Sequence, residues 1–189
     1  MAALEAFADV PEPAEVGSSF AENARQKALG YARATGGWCL ADDSGLVVDA
    51  LDGAPGVRSA RYAEEDFPRG ADRAARDAAN NAKLLAALEG VGEADRTARF
   101  VCHLALADPR RVLIETFGTV EGRIAREPRG HNGFGYDPLF FLPQKGCTVA
   151  ELPPGQKNAI SHRGQAVRHF ASLLKSFLSG AHAERSATD

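Results

Sequence analysis

Apolar residues recur every three or four positions at Phe20, Ala24, Ala28 and Tyr31, the period of a helix with one buried face. Ser19 and Glu22 stand at capping-box spacing, so this helix is predicted to begin at Ser19, with Gly36-Gly37 ending it. Trp38–Ala41 reads as a short apolar strand. It is predicted to stop at Asp42-Asp43-Ser44-Gly45, a turn-like run, before a second strand, Leu46–Leu51. Gly53–Gly56 reads as loop, and an alanine- and leucine-rich helix is predicted to fill most of Gly70–Glu89, broken by Gly90 and Gly92.

The clearest alternation runs over Thr97–Asp108. Phe100, Cys102, Leu104 and Leu106 fall on one side, and Arg99, Val101, His103 and Ala105 on the other. Pro109-Arg110 reads as a tight connection to a partner strand, Val112–Val120, giving a long antiparallel hairpin. A glycine-rich loop is predicted over 126–138 and a short strand over Leu139–Leu142. The last helix is predicted from about Gly164 to Leu178, with Val167, Ala171, Leu174 and Leu178 inward. The first seventeen residues read as loop and Ala181–Asp189 as a disordered tail. This order predicts an α/β fold in one domain over residues 1–180, with helices packed on a partly antiparallel sheet.

Composition narrows the function classes. The 22 basic and 25 acidic residues nearly cancel, so a protein held on nucleic acid by phosphate contacts is not expected. No apolar run reaches the roughly 20 residues that span a bilayer, and the first residues lack the pattern of a secretory signal. Cys39, Cys102 and Cys147 are too scattered for a disulfide scaffold or zinc ribbon. A reducing cytoplasm is the expected compartment.

Three clusters could carry chemistry. Asp42 and Asp43 are adjacent carboxylates, and strand geometry points neighbours to opposite faces, so one could face a cleft while the other braces a turn. Carboxylates suit Mg²⁺, although taken alone a plain turn is the better explanation of this run. His131-Asn132-Gly133-Phe134-Gly135-Tyr136-Asp137-Pro138 sets glycines around aromatics, so backbone can approach a ligand and Phe134 or Tyr136 can stack on a base. In Lys157-Asn158-Ala159-Ile160-Ser161-His162-Arg163, Lys157 suits a phosphate, Arg163 offers a planar fork of donors and His162 could bond a base edge. The plainer reading makes Ser161 a helix N-cap with solvated charges beside it.

Further segments complete a set in order: Ser-Phe-Ala-Glu-Asn-Ala at 19–24 with Lys27-Ala28, Ala-Asp-Asp-Ser-Gly-Leu at 41–46, Gly-Ala-Pro-Gly-Val at 53–57, Ser-Ala-Arg-Tyr-Ala at 59–63, Gly-Phe-Gly-Tyr-Asp-Pro at 133–138 and Ser-His-Arg-Gly at 161–164. Together they resemble the inosine/xanthosine triphosphate pyrophosphatases, from about Glu15 to about Phe177. The resemblance implies a two-lobed α/β fold with a long central mixed sheet, a homodimer, and Mg²⁺-dependent hydrolysis of ITP, dITP and XTP to the monophosphate and pyrophosphate. It assigns Asp43 as catalytic base, with Glu15, Asp42 and Asp43 at the metal. Lys27, Ser44, Phe134, Gly135, Tyr136, Asp137, Lys157, His162 and Arg163 match substrate-binding positions.

One motif expected from the resemblance, a phosphate-cradling Thr/Ser-x-Asn-x-x-Lys loop well ahead of Glu15, has no match between Met1 and Glu15, and Val16 stands where threonine is usual. Without that loop the expectation is weak turnover and an unpaired sheet edge. Two alternatives follow: a truncated nucleotide-binding or dimerising homologue, and a septum-inhibitor-like pyrophosphatase, against which the 133–138 and 161–164 motifs argue.

Overall fold

The computed structural model describes residues 10–67 and 70–186. Helix α1, Phe20–Thr35, is capped by Ser19, whose hydroxyl accepts from the Glu22 N–H at 3.2 Å. The reciprocal half of the capping box is displaced by one residue, because the Glu22 carboxylate accepts from the N–H and hydroxyl of Ser18 instead. Gly36, at φ 71°, closes the helix in the left-handed conformation that glycine adopts without penalty.

Strand β1 runs unbroken over Cys39–Val48. This corrects the predicted turn: Asp42, Asp43, Ser44 and Gly45 pair with Leu104, His103, Cys102 and Val101. Turn-prone residues hold a strand here because helices on both faces supply partners for the two carboxylates, and tertiary contacts override local preference.

Helix α2, Arg73–Ala87, is capped by Asp72. Strand β2, Thr97–Ala107, and strand β3, Val112–Ile124, form the expected hairpin, and β3 outlasts its expected end at Val120 because Gly122 and Arg123 still pair with Ala98 and Thr97. Strand β4 is Phe140–Leu142 and β5 is Cys147–Thr148, which was not foreseen. Among the described residues the five strands pair in chain order, all antiparallel, and β1 lies outermost.

A short helix, α3 (Pro154–Ile160), was also missed, although proline at its first turn is a start signal. Helix α4 spans His162–Ser186. Ser161 is its N-cap, accepting from the Gly164 N–H at 3.0 Å. Its inward face is corrected in part: Leu174 packs inward as expected and Ala166 and Phe170 are buried, while Val167, Ala171 and Leu178 are exposed. Of the outer segments, 10–17 carries no regular structure, α4 continues past Leu178, and residues 1–9 and 187–189 lie outside the described residues.

Strand alternation places α1 and α4 on opposite faces of the sheet. Ala24, Ala28 and Ala32 pack on Ala105 and Ala107, and small side chains on both sides let the α1 backbone come close. On the other face Ala166 and Phe170 pack on Cys102, Leu104, Leu106 and Ile114. Cys102 is therefore a small buried hydrophobe of this core. Gly118 admits the start of α4, since a Cβ there would strike the His162 carbonyl and Ala166 backbone.

The lower core joins Leu84 of α2 and Leu88, just past its end, to Leu46, Val48, Phe100, Ile124 and Phe140. Its closure depends on Arg96, 3% exposed, whose guanidinium donates to the carbonyls of Leu88 at 3.0 Å, Ile124 at 3.0 Å and Ala125 at 3.3 Å. These bonds join the end of α2 to the end of β3. Arg96→Ala is expected to cost about 3 kcal/mol, because it strands buried carbonyls and opens a cavity. In a chain of this size that lowers Tm by roughly 6–12 °C, and a melt within experimental error of wild type would refute the role.

Candidate active site

The sheet's outer strand carries the site on both its faces. On the α1 face, Asp43 is 8% exposed. Its carboxylate accepts from Asn23 Nδ2 at 3.1 Å and from Lys27 Nζ at 3.0 Å. Lys27 also reaches Glu15 Oε1 at 2.9 Å, so Glu15 and Asp43 share one ammonium. Burial pulls the Lys27 pKa down, but hydrogen bonds to Glu15 and Asp43 outweigh it and leave the group above its ordinary value, firmly charged. Asn23, fully buried, also accepts from the Gly17 N–H at 2.8 Å and so holds the segment bearing Glu15. Its signal in sequence was a polar residue on the buried stripe of α1.

The opposite face of β1 opens onto a cavity of about 430 Å³, walled by Ser44, Phe100, Phe134, Tyr136, His162 and Arg163 among others. Phe140, Phe100 and His162 stack in series, with centroids 4.3 Å and 4.9 Å apart. Burial, followed by the positive charges of Arg163 and Lys157, pushes the His162 pKa down to about 4. The ring is therefore neutral at pH 7, with one N–H donor and one acceptor.

Between pH 6.5 and about 4 the unfolded chain binds a proton at this position that the folded chain refuses, so stability falls as pH falls through that window and gains nothing above it. The expected loss between pH 7 and pH 4.5 is roughly 2–3 kcal/mol. Denaturant titrations of wild type and His162→Gln at both pH values read it as a difference, and equal pH slopes would rule it out.

Asp137 orders the loop before it. Its carboxylate accepts from the Phe134 N–H at 2.8 Å and pairs with Lys157. Gly133 has φ 82°, and a Cβ there would run into the Asp137 carboxylate. Phe134 and Tyr136 part company. Phe134 is 46% exposed, with Arg73 and Lys157 cations 4.4 Å and 4.5 Å from its ring centre. Tyr136 is buried, and its hydroxyl, raised in pKa by burial, donates to the Ser59 carbonyl at 2.9 Å. Phe134 is thus the accessible aromatic ring of the pair, and Tyr136 braces the wall.

The structure brings Glu15, Lys27 and Asp43 together, and separately gathers Ser44, Phe134, Gly135, Tyr136, Asp137, Lys157, His162 and Arg163 around the cavity. Asp42 does not join Glu15 and Asp43. It lies on the cavity face, accepting from Ser44 Oγ at 2.8 Å and Arg163 at 3.0 Å. In the sequence Phe100 stood out only as a strand residue and Ser59 only within a motif, and Arg73 and Asp77, which also line the cavity, and Asn81, which holds the Gly135 carbonyl, did not stand out at all.

The two halves meet at the outer edge of β1. Leu46 turns its N–H outward to Ser59 Oγ at 2.8 Å, and the two-residue period points Ser44 and Asp42 backbone groups the same way. Among the described residues no three His, Cys, Asp or Glu side chains gather as a metal cage. Glu15 and Asp43, already converging on one cation, nevertheless fit Mg²⁺, which takes one or two carboxylates and fills its shell with water and phosphate oxygens.

Known proteins resemble this chain over most of its length. A dITP/XTP pyrophosphatase of Geobacter sulfurreducens is 53% identical over 175 residues, covering 93% of this chain and 82% of that protein. One of Geobacillus kaustophilus is 54% identical over 174 residues, covering 92% and 81%. The structure of a HAM1 protein from Coxiella burnetii superposes with a TM-score of 0.80 at 47% identity, covering 91% of this chain and 84% of that one. The model of the Ham1 family matches residues 1–173, and the chain belongs to that family.

Proposed function

We propose that this chain hydrolyses non-canonical purine nucleoside triphosphates, ITP, dITP and XTP, to the monophosphate and pyrophosphate. The observation that carries the reading is the division of β1: an aromatic cavity with a cationic rim on the Ser44 face, and a lysine–carboxylate centre on the Asp43 face. A base seated against Phe134 leaves its triphosphate at the strand edge, where outward backbone groups of Ser44 can guide it toward Asp43. Lys27 neutralises charge on the phosphates. Asp43 accepts the proton of a water that attacks the α-phosphorus, the bond to the bridging oxygen breaks, and pyrophosphate leaves. Mg²⁺ held by Glu15 and Asp43 would neutralise developing charge on phosphate oxygens.

A homodimer belongs to the same reading, with Phe117, 59% exposed and stacked on His103 at 5.6 Å on the α1 side of the hairpin, as the exposed aromatic assigned to the contact. Among the described residues no helix is long and apolar enough to cross a membrane.

Product analysis with ITP tests the activity. IMP and pyrophosphate in equal amounts are expected. Release of inorganic phosphate, or faster turnover of dTTP and UTP than of ITP, would exclude the reading.

A further inference from the structure

The loop that presents Phe134 is gripped by one stripe of α2, whose Arg73 and Asp77 also line the cavity. Arg73, Asp77 and Asn81 are spaced four apart and so share a helix face. The Arg73 guanidinium lies 4.4 Å from the Phe134 ring centre. Asp77 Oδ2 accepts from the Gly135 N–H at 2.7 Å, and Asn81 Nδ2 donates to the Gly135 carbonyl at 3.0 Å. Both polar groups of a single glycine, set between Phe134 and Tyr136, are therefore held by side chains more than fifty residues away.

The grip has a visible cost. Asn81 Oδ1 is the one buried side-chain polar atom without a partner among the described residues. Turning the amide over would satisfy nothing, because it would set oxygen against the Gly135 carbonyl oxygen. An orphaned acceptor is tolerated where holding the loop matters more.

We infer that Asp77, seconded by Asn81, is a positioning residue for base recognition: it fixes the Gly135 amide and thereby the Phe134 ring at the mouth of the cavity. This rests on the proposed function. The grip lies on the cavity face of the sheet, away from the Lys27–Asp43 centre, so it governs nucleoside binding and not the reacting phosphate. Asparagine at position 77 keeps an oxygen for the Gly135 N–H, whereas alanine does not.

The test compares Asp77→Ala, Asp77→Asn and Asn81→Ala in kinetics with ITP, inhibition by IMP and by pyrophosphate, and thermal melts. Asp77→Ala should raise KM for ITP and Ki for IMP about ten- to a hundredfold, as misplacement of a binding group does. Its kcat and pyrophosphate Ki should stay within about threefold of wild type, the signature of lost ground-state binding. Asp77→Asn should restore most of the loss. Asn81→Ala should weaken IMP binding without lowering Tm, since it also removes the orphaned acceptor, and it stands in for Asp77→Ala should that variant not fold.

Wild-type KM in Asp77→Ala and Asn81→Ala would overturn the inference. So would an Asp77→Asn variant as impaired as Asp77→Ala, which would mean that the carboxylate touches the base itself. A parallel fall of kcat and Tm at unchanged KM would reduce the stripe to helix packing. A wild-type protein that neither turns over ITP nor binds IMP would sink the underlying functional reading.

Discussion

Asp43→Asn is expected to cut kcat for ITP by about 10³-fold or more, within the range lost when a general base is removed, while the protein remains folded. The substitution is nearly isosteric, but an amide cannot take the proton of the attacking water and brings no charge to a metal. The carboxylate faces donors on both sides, Lys27 Nζ at 3.0 Å and Asn23 Nδ2 at 3.1 Å. An amide must therefore present its NH₂ to one of them, disturbing a buried hydrogen bond. Lys27 keeps Glu15 as a partner at 2.9 Å, so no buried charge is stranded and the fold should survive.

Asp42→Asn is the internal contrast. Asp42 sits on the other face, in a largely exposed pair with Arg163, and such pairs contribute about 0–1 kcal/mol. Pyrophosphate release by the two variants at saturating Mg²⁺, with thermal melts alongside, reads the difference. Retention of most turnover by Asp43→Asn, or equal losses in both, would remove Asp43 from its assigned role.

Discrimination at the purine 6-position is the second large effect. ITP should exceed ATP in kcat/KM by about a hundredfold, since an unpaired buried donor costs about 1–3 kcal/mol and each 1.4 kcal/mol is tenfold. The structure assigns this unequally between the two candidate donors. His162 lies in the cavity wall, neutral and stacked on Phe100 at 4.9 Å, with an N–H that suits a 6-oxo group and meets adenine's amino group as donor against donor. Arg163 is engaged with Asp42 on the strand and contributes less. His162→Ala should therefore narrow the ITP/ATP ratio by tenfold or more, on the same per-donor cost, whereas Arg163→Ala should lower turnover of both. A wild-type ratio near one, or one that His162→Ala leaves unchanged, would contradict the assignment.

The pattern of residues along the chain carried much of this. The alternation over Thr97–Asp108 and the interval from Phe20 to Tyr31 specified β2 and α1, because each depends on the period of a single element and on water at one face. The opposite facing of Asp42 and Asp43 also follows from the two-residue period of a strand, whatever packs against it. Motif order pointed to the family, and the residues it named lie against the two faces of β1, Glu15, Lys27 and Asp43 on one and the cavity residues on the other.

Other features could not be read that way. Asp42-Asp43-Ser44-Gly45 has the local preference of a turn and became mid-strand. Asn23, twenty residues away, and Arg163, 121 residues away, supply partners that no local rule contains. The inward face of α4 moved from Val167 to Ala166 because Thr116 Oγ1 donates to the Ala166 carbonyl at 3.1 Å and Gly118 leaves room beside it. Phe134 and Tyr136 were equivalent as aromatics until one met Ser59 and was buried while the other stayed open among cations. Secondary structure and residue chemistry are short-range properties, written in composition and period. Which carboxylate meets Lys27, which aromatic remains free and which glycine is gripped by α2 are settled by contacts between distant segments, whose energies exceed the small local preferences they override.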